Sequence, residues 1–362
     1  MDITFILPFN ALNGGHRVVS TYARKLTERG HRVNVVSQPW EGRRSAKITL
    51  KRQIKRLLGR PAPMPEMPVR STLLDFLGEQ HIVLDAPGPP HPSQIPDADV
   101  IVATWWETAE WVSAQPASKG RKFYLLQDFE VFPYLPVDRV IGTYSLPLKK
   151  IAVSEYIRKE VQAFPSVGEI EVIPNAVDLG LFTSLPRQRN EVLTVGFLFS
   201  PSPRKNARLA IEILNNLKSQ IPCVKALVFG THPLSSLPPL PDWAQYERAP
   251  DQDRIPEIYA ACDLWLFTSE KEGFGLPILE AMACRTPVLA TRAGAAPQIV
   301  DGSNGTLLPM DVGAFVDEIA RFAAMPDIEW QHYSEAAHRT ATSYTWDKAT
   351  DRLIGLMAQE HT

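Results

Sequence analysis

Short apolar runs alternate with segments of helical periodicity along almost the whole chain. Runs such as Ile3–Leu7 and Leu264–Phe267 have the length and composition of buried strands. Between such runs lie segments whose apolar residues recur at helical spacing, as in residues 16–28. This alternation is typical of parallel sheets that are covered by helices on both faces. A chain of 362 residues is long for a single hydrophobic core, so we expect two such units.

The two series of elements are separated by a link at 175–190. The first series has strands predicted at 81–85, 99–104, 122–127, 149–153 and 170–173, and Ser154 is expected to cap a helix over 155–163. The second series has strands predicted at 191–198, 224–230, 264–268 and 287–290. We predict an N-terminal domain (1–175) and a C-terminal domain (176–344), both doubly wound and facing each other across a cleft. Ligands of such sheets bind outside the carboxyl ends of the strands.

Composition excludes several classes of function. The three cysteines are an odd, widely spaced set, which predicts no disulfide framework and favours a reducing cytoplasm. The net charge of −2 gives no general attraction to nucleic acid. The N-terminus enters a strand at once, and no apolar stretch approaches the ~18 residues of a membrane span, so we expect neither signal peptide nor anchor. His16, His31 and His232 lack metal-ligand spacing, and we expect neither metal nor cofactor.

The segment that follows the strand near residue 264 carries the strongest functional pattern. A glycine-containing loop leads into a helix near Gly275, with Pro277 in its first turn. Glu272 lies in the loop and Glu280 in the helix, eight positions apart. The first amides of a helix favour an anion. Acids on both sides of an anion site suit a nucleotide-sugar, because this ligand has hydroxyls at both of its ends and phosphates between them. An ordinary strand–loop–helix with surface acids is the alternative.

This segment resembles a known family. From Phe267 to Pro309 the chain is similar, without a gap, to the Glu-x7-Glu region of retaining glycosyltransferases of family four. The resemblance implies the GT-B architecture, which consists of two facing Rossmann-like domains with the donor bound mainly by the second. It also implies metal-independent transfer with retention at the anomeric carbon. In the family the last helix crosses back to the first domain, so residues 345–362 should complete it.

The resemblance assigns roles to the residues of the second domain. Glu272 would contact the donor sugar, Glu280 the ribose, and Lys205 with Arg204 the diphosphate. The backbone that holds the β-phosphate would come from four consecutive residues: Gly273, Phe274, Gly275 and Leu276.

The two cations Arg204 and Lys205 follow the first strand of the second series and precede a helix. Positive charge there would stabilise the departing diphosphate. A merely solvated pair is disfavoured, because cations oppose the dipole at the start of a helix. The family has an arginine after the strand glycine, where this chain has Phe197, and Arg204 is the candidate substitute.

Two further candidates lie in the first domain. Gly14 and Gly15 follow a strand and open a helix, which fits either a tight turn or backbone that approaches a phosphate. The family has a comparable loop near the donor phosphates, so we expect donor contact here. Asp128 follows a strand and would orient or deprotonate the acceptor hydroxyl, or else cap a helix. Many relatives have histidine at about the position of Gln127.

Three features refine the expected function. The phrases 103–108 and 127–130 are similar to a subgroup that transfers rhamnose in bacterial polysaccharide synthesis. Residues 43–60 hold eight basic and no acidic residues, which suits an anionic membrane or a solvated loop. Arg285 stands where relatives often have glycine, and we expect either a phosphate contact or a solvent-facing helix end.

We therefore predict a cytoplasmic glycosyltransferase of the hexosyltransferase class, for which the inner face of the membrane is a candidate location. It would move a sugar, with dTDP-rhamnose as the candidate donor, to a saccharide or lipid-linked acceptor in cell-surface polysaccharide synthesis. No nucleic-acid motif accompanies the basic segment. A nucleotide-sugar epimerase of the same fold and a catalytically inactive donor-binding protein are the alternatives.

Overall fold

The computed structural model describes residues 1–8, 14–39, 72–233 and 239–359. Its internal contacts divide the chain into two compact units. The N-terminal unit comprises Met1–Ala152, Glu160–Glu171 and the chain from Ile354. The C-terminal unit comprises Val153–Lys159 and Val172–Leu353. The basic segment 43–60 lies outside the described residues.

The N-terminal unit is built on a seven-stranded sheet with the order β3-β2-β1-β4-β5-β6-β7. Its strands are β1 (Asp2–Leu7), β2 (Arg32–Ser37), β3 (His81–Val83), β4 (Val100–Ala103), β5 (Arg121–Leu126), β6 (Lys149–Ala152) and β7 (Ile170–Val172). The pairs from β3 through β6 are parallel. The strand order reverses between β1 and β4, which is where ligands of such sheets usually bind.

The C-terminal unit has a six-stranded parallel sheet with the order β10-β9-β8-β11-β12-β13. Its strands are β8 (Leu193–Phe199), β9 (Val224–Gly230), β10 (Ala244–Arg248), β11 (Leu264–Phe267), β12 (Val288–Ala290) and β13 (Gly305–Leu307). Here the order reverses between the neighbours β8 and β11. The segments that leave their carboxyl ends are therefore brought together.

Helices connect most of these strands. The described α-helices are α1 (Gly14–Glu28), α2 (Trp106–Ser113), α3 (Val137–Tyr144), α4 (Glu155–Gln162), α5 (Ala207–Gln220), α6 (Arg254–Ala260), α7 (Leu276–Ala283), α8 (Ala296–Ile299), α9 (Val312–Ala324), α10 (Asp327–Ser343) and α11 (Trp346–Ala358). Short 3-10 turns lie at Asp75–Gln80, Pro92–Gln94, Ala117–Lys119 and Pro203–Lys205. Within the described residues, no helix is long and apolar enough to span a bilayer.

The core of the C-terminal unit explains one departure from the family pattern. Strand β8 packs among helices α5 and α9, and Phe197 and Phe199 are among its fully buried side chains. Phe197 is therefore a packing residue inside the sheet layer. Its side chain is not available to a ligand, and any cation for a diphosphate must come from elsewhere.

The two parallel α/β sheets that the sequence predicts are confirmed. Strand β9 has the predicted bounds. Strands β10 and β13 were not predicted from the sequence. Strand β10 lies at the edge of its sheet and reads Ala-Gln-Tyr-Glu-Arg, with no residue fully buried, so it lacks the apolar run that reveals a central strand.

Gly196 lies on β8 where a side chain has no room. An ideal Cβ on Gly196 would lie 2.5 Å from Cys262 Sγ and 2.6 Å from the Trp265 ring. Gly196→Ala should lower the free energy of unfolding by about 1–3 kcal/mol, because it overpacks the core. Urea denaturation measures this. Gly142→Ala on the exposed face of α3, where a Cβ meets nothing within 4 Å, should instead be neutral or stabilise by about 0.5–1 kcal/mol. Equal stability of the two variants would contradict this account.

Candidate functional site

The candidate site lies where β8 and β11 end side by side. Strand β11 is completely buried, and the loop after it leads to α7. The turn Pro203–Lys205 follows β8. The carbonyl of Arg204 accepts hydrogen bonds from the amides of Glu270 (2.8 Å) and Lys271 (3.3 Å). These bonds hold the two segments against each other before any side chain is considered.

Gly275 sets the entry to α7. Its φ is +99°, and an ideal Cβ there would lie 2.8 Å from Cζ of Phe267. Both the left-handed backbone and the ring of Phe267 therefore require glycine. Pro277 follows in the first turn, as predicted, where its missing N–H costs nothing. The first amides of α7 are consequently presented at the carboxyl end of β11, in the geometry that favours an anion.

Glu272 lies in this loop and is nearly buried. Its carboxylate forms an ion pair with Nζ of Lys205 and accepts a hydrogen bond from Ser269 Oγ at 2.8 Å. The structure thus brings together two residues that the sequence places far apart and assigns to different parts of one ligand. Arg204 lies beside Lys205 and is partly buried.

A small crevice accompanies this pair. It has room for about one water molecule (≈ 10 Å³) and is lined by Lys205, Thr268, Ser269 and Pro277 together with the apolar ends of β8 and β11. The mixture of a cation, two hydroxyls and the helix start gives it the chemistry of an anion site.

Glu280 lies further along α7 and is partly exposed. Tyr259 on α6 donates a hydrogen bond from its hydroxyl to Oε2 of Glu280 at 2.8 Å. The sequence analysis missed Tyr259, because nothing in the pattern of α6 indicates that its hydroxyl points toward α7.

Two other segments support the loop from outside. Ser154 Oγ donates to the carbonyl of Gly273 at 2.6 Å and accepts a hydrogen bond from the amide of Ile157 at 3.3 Å. The predicted helix cap at Ser154 is therefore confirmed, and it also fixes the loop. The amide of Ala295 donates to the carbonyl of Phe274 at 2.8 Å. Ser154 and Ala295 were not recognised as loop supports from sequence.

The predicted glycines of the N-terminal unit open α1. Gly14 is exposed, and an ideal Cβ there would meet nothing within 4 Å. Local packing therefore does not demand glycine at this position. The preceding residues 9–13 lie outside the described part of the chain, so the proposed donor contact of Gly14 and Gly15 stays a prediction.

Asp128 lies two residues beyond the end of β5, and its Oδ1 accepts a hydrogen bond from the amide of Phe129 at 2.8 Å. The next helix, α3, begins only at Val137. The alternative interpretation of Asp128 as a helix cap is therefore wrong. Its role toward an acceptor stays a prediction.

The buried acid of this region is Glu130, which the sequence analysis did not single out. Its Oε2 accepts hydrogen bonds from the amide of Trp106 (2.7 Å) and the hydroxyl of Tyr124 (3.0 Å). Burial raises the pKa of Glu130 well above its usual value, and the nearby Asp128 adds to the rise. Glu130 therefore anchors the start of α2 next to Asp128.

Both interpretations of Arg285 were wrong. Arg285 follows α7 in a left-handed conformation (φ 64°) and is buried. Its guanidinium donates to the carbonyl of Ser184 (3.0 Å) and to Glu335 (2.5 Å). It therefore neither contacts the loop of Glu272 nor faces solvent. A positive φ at the end of a helix is a conformation that favours glycine.

Comparison with known proteins shows what part of the C-terminal unit is similar to. Residues 189–324 match the model of the family described as glycosyl transferases, group 1. D-inositol 3-phosphate glycosyltransferase of Saccharomonospora viridis is 38% identical over 107 residues, which is 29% of this chain and 24% of the relative. O-antigen chain mannosyltransferase B of Escherichia coli is 33% identical over 114 residues, which is 31% of this chain and 29% of the relative. The chain thus spans less than a third of the length of these two relatives.

The solved structures extend the likeness to the whole fold. The structure of Anabaena HepE in complex with UDP-glucose superposes with a TM-score of 0.72 at 18% identity and covers 98% of both chains. At this identity the likeness establishes the fold, which is that of GT-B glycosyltransferases.

Glu130 generates a prediction about pH. Folding favours its protonated form, so its stabilising contribution is present below its ordinary pKa of 4.5 and is lost as pH rises through the raised value. Glu130→Gln cannot ionise. As pH rises from 4.5 into the neutral range, wild type should therefore lose stability relative to this variant, by at most about 1.4 kcal/mol per pH unit.

Urea denaturation across that pH range measures the difference. Glu79→Gln, which changes an exposed glutamate of the same unit, should leave the pH dependence of wild type unaltered. Parallel pH profiles of wild type and Glu130→Gln would contradict the assignment.

Proposed function

We propose that this chain, whose residues 189–324 match the glycosyl transferases of group 1, is a glycosyltransferase that uses a nucleotide-diphosphate sugar. The observation that carries the proposal is the arrangement around the start of α7. Glu272 and Lys205 meet at the point where the strand order of the sheet reverses, and Glu280 follows on the same helix. Charge and hydrogen-bonding groups are thereby arranged in the order in which such a donor presents sugar, diphosphate and ribose.

The diphosphate is the part of the donor that this site is best suited to hold. We propose that it lies against the backbone from Gly273 to Leu276, at the positive end of α7. The left-handed Gly275 allows the close approach, since a side chain would collide with Phe267. Lys205, with Arg204 beside it, would balance the charge that develops as the diphosphate leaves.

The ion pair between Lys205 and Glu272 supports a joint role in catalysis. An ammonium group has three donors, so Lys205 can bond Glu272 and a phosphate oxygen at the same time. When Lys205 also donates to a diphosphate, the oxygens of Glu272 can accept hydrogen bonds from the hydroxyls of the sugar. The two residues would then hold the sugar and its leaving group in fixed relation, which lowers the barrier by orientation.

We propose transfer with retention by attack on the face that the diphosphate leaves. In this mechanism the bond between the anomeric carbon and the phosphate oxygen breaks while the acceptor oxygen bonds to the same carbon. The acceptor proton passes to the departing phosphate. Asp128 would orient the acceptor hydroxyl. Mass-spectrometric detection of a glycosyl adduct on Asp128 or Glu272 would refute this mechanism.

The finer identity of donor and acceptor rests on the sequence. The phrases 103–108 and 127–130 support rhamnose transfer from dTDP-rhamnose in cell-surface polysaccharide synthesis, and one relative is named for O-antigen chains. The basic segment 43–60 supports transfer of the sugar to a lipid-linked acceptor at the cytoplasmic face of an anionic membrane. Gly14 and Gly15 are proposed donor contacts.

A thermal-shift panel of UDP-, GDP-, dTDP- and ADP-sugars tests the donor site. A ligand at about 100 times its Kd should stabilise the fold by about 2.7 kcal/mol, which raises the midpoint measurably. Stabilisation by none of the four would refute the proposal. Incubation with the bound donor alone, followed by NMR of the sugar, distinguishes a glycosyltransferase from an epimerase. Only an epimerase would convert the donor sugar without an acceptor.

The two acids should differ in effect. Glu280→Ala should weaken donor binding about tenfold or more, because it removes a charge-assisted contact to the ribose. Glu272→Ala should mainly lower turnover, by about 10- to 100-fold, since its contact serves the reacting sugar.

Isothermal titration with the donor and a nucleoside-diphosphate release assay measure the two quantities. Glu329→Ala, which removes an exposed glutamate of α10, is the matched control and should change neither. An equal loss of donor affinity in both variants would contradict the separate roles.

A further inference from the structure

Tyr259 has no role in the function proposed above, yet its hydroxyl contacts one of the two acids of the site. The phenol donates to Oε2 of Glu280 at 2.8 Å. Tyr259 itself is completely buried, whereas Glu280 is partly exposed. The hydroxyl of a buried tyrosine therefore contacts the carboxylate of a partly exposed glutamate.

The ring of Tyr259 is confined by other aromatic rings. Trp265 lies edge-on with a centroid distance of 4.4 Å, Phe229 at 5.7 Å and Phe182 at 6.0 Å. Rings that pack on several sides leave the phenol no alternative rotamer. The position of its hydroxyl oxygen near α7 is therefore set by the packing of the ring and not by the acid.

The backbone of Tyr259 is tied to α7 as well. Its carbonyl accepts a hydrogen bond from Oγ1 of Thr286 at 2.7 Å, and Thr286 follows the end of α7. The hydroxyl thus reaches Glu280 from a residue that is also bonded to the segment directly after that helix. The distance between the phenol oxygen and the carboxylate of Glu280 is consequently well defined.

We infer that Tyr259 is a positioning residue that orients Glu280 for the sugar hydroxyls of the nucleotide, which are two in a ribose and the 3′-hydroxyl alone in the deoxyribose of dTDP; this inference rests on the proposed donor site. A carboxylate has about four acceptor positions, so the bond from Tyr259 leaves capacity for a diol. Because the phenol is neutral, it orients the carboxylate without cancelling its charge. A glutamate that is already ordered loses less side-chain freedom when the ligand binds, and the affinity rises accordingly.

The test compares ligands with and without these hydroxyls. Tyr259→Phe keeps the ring and removes the hydroxyl that donates to Glu280. It should weaken binding of UDP about three- to tenfold in isothermal titration. It should leave the affinity for 2′,3′-dideoxyuridine diphosphate unchanged, because that ligand has no hydroxyls for Glu280 to accept. GDP, ADP and dTDP are titrated in the same way.

Two controls separate positioning from general damage. Tyr333→Phe removes another hydroxyl of the same unit, one that contacts Arg321 at 3.3 Å, and should not change the affinity for UDP. In a Glu280→Ala background, Tyr259→Phe should have no further effect, because there is no carboxylate left to orient.

The outcomes distinguish this role from the donor site itself. If Tyr259→Phe weakens UDP and its dideoxy analogue equally, or still weakens UDP binding without Glu280, Tyr259 supports the fold and the inference is overturned. If wild type binds UDP and Tyr259→Phe binds it equally well, the inference is overturned while the donor site stands. If wild type binds none of the four nucleotides, both are refuted.

Discussion

The candidate site depends on one constraint, the adjacency of β8 and β11 where the strand order reverses. Lys205 and Glu272 are 67 positions apart in the chain and form an ion pair because the segments that carry them leave neighbouring strands. The backbone bonds from Glu270 and Lys271 to Arg204 keep those segments in register. The sheet topology, more than either loop sequence, therefore brings a cation, an acid and a helix start together.

The central strands and the helix after the glutamate loop were predictable because each combines a local signal with a matching environment. Buried strands such as β11 are continuous apolar runs, and Pro277 marks a helix start by its own chemistry. Strand β10 is polar because it lies at the edge, so its pairing with β9 carries no sequence signal. The burial of Arg285 could not be predicted from the sequence, because its partner Glu335 is 50 positions away.

Of the candidate site, the two glutamates could be predicted from the sequence, whereas the residues that support them could not. Glu272 and Glu280 are visible in the sequence because their spacing around a helix start has a chemical meaning. The residues that hold them in place, Tyr259 and Ser154, act through single hydroxyl groups that reach other elements. Tertiary folding alone decides where such a hydroxyl points. The same is true of Glu130, whose burial follows from its contacts with Trp106 and Tyr124.

The two acids are held in physically different ways, and the difference suits the parts of the donor that they would meet. Glu280 accepts a hydrogen bond from a neutral phenol, which an anionic ligand would not draw away by charge. Glu272 is held by the cation Lys205, so a diphosphate would share its partner. The first arrangement suits a contact that is equal in ground state and transition state. The second suits a contact that strengthens as charge builds on the leaving group, and only such a contact accelerates the chemical step.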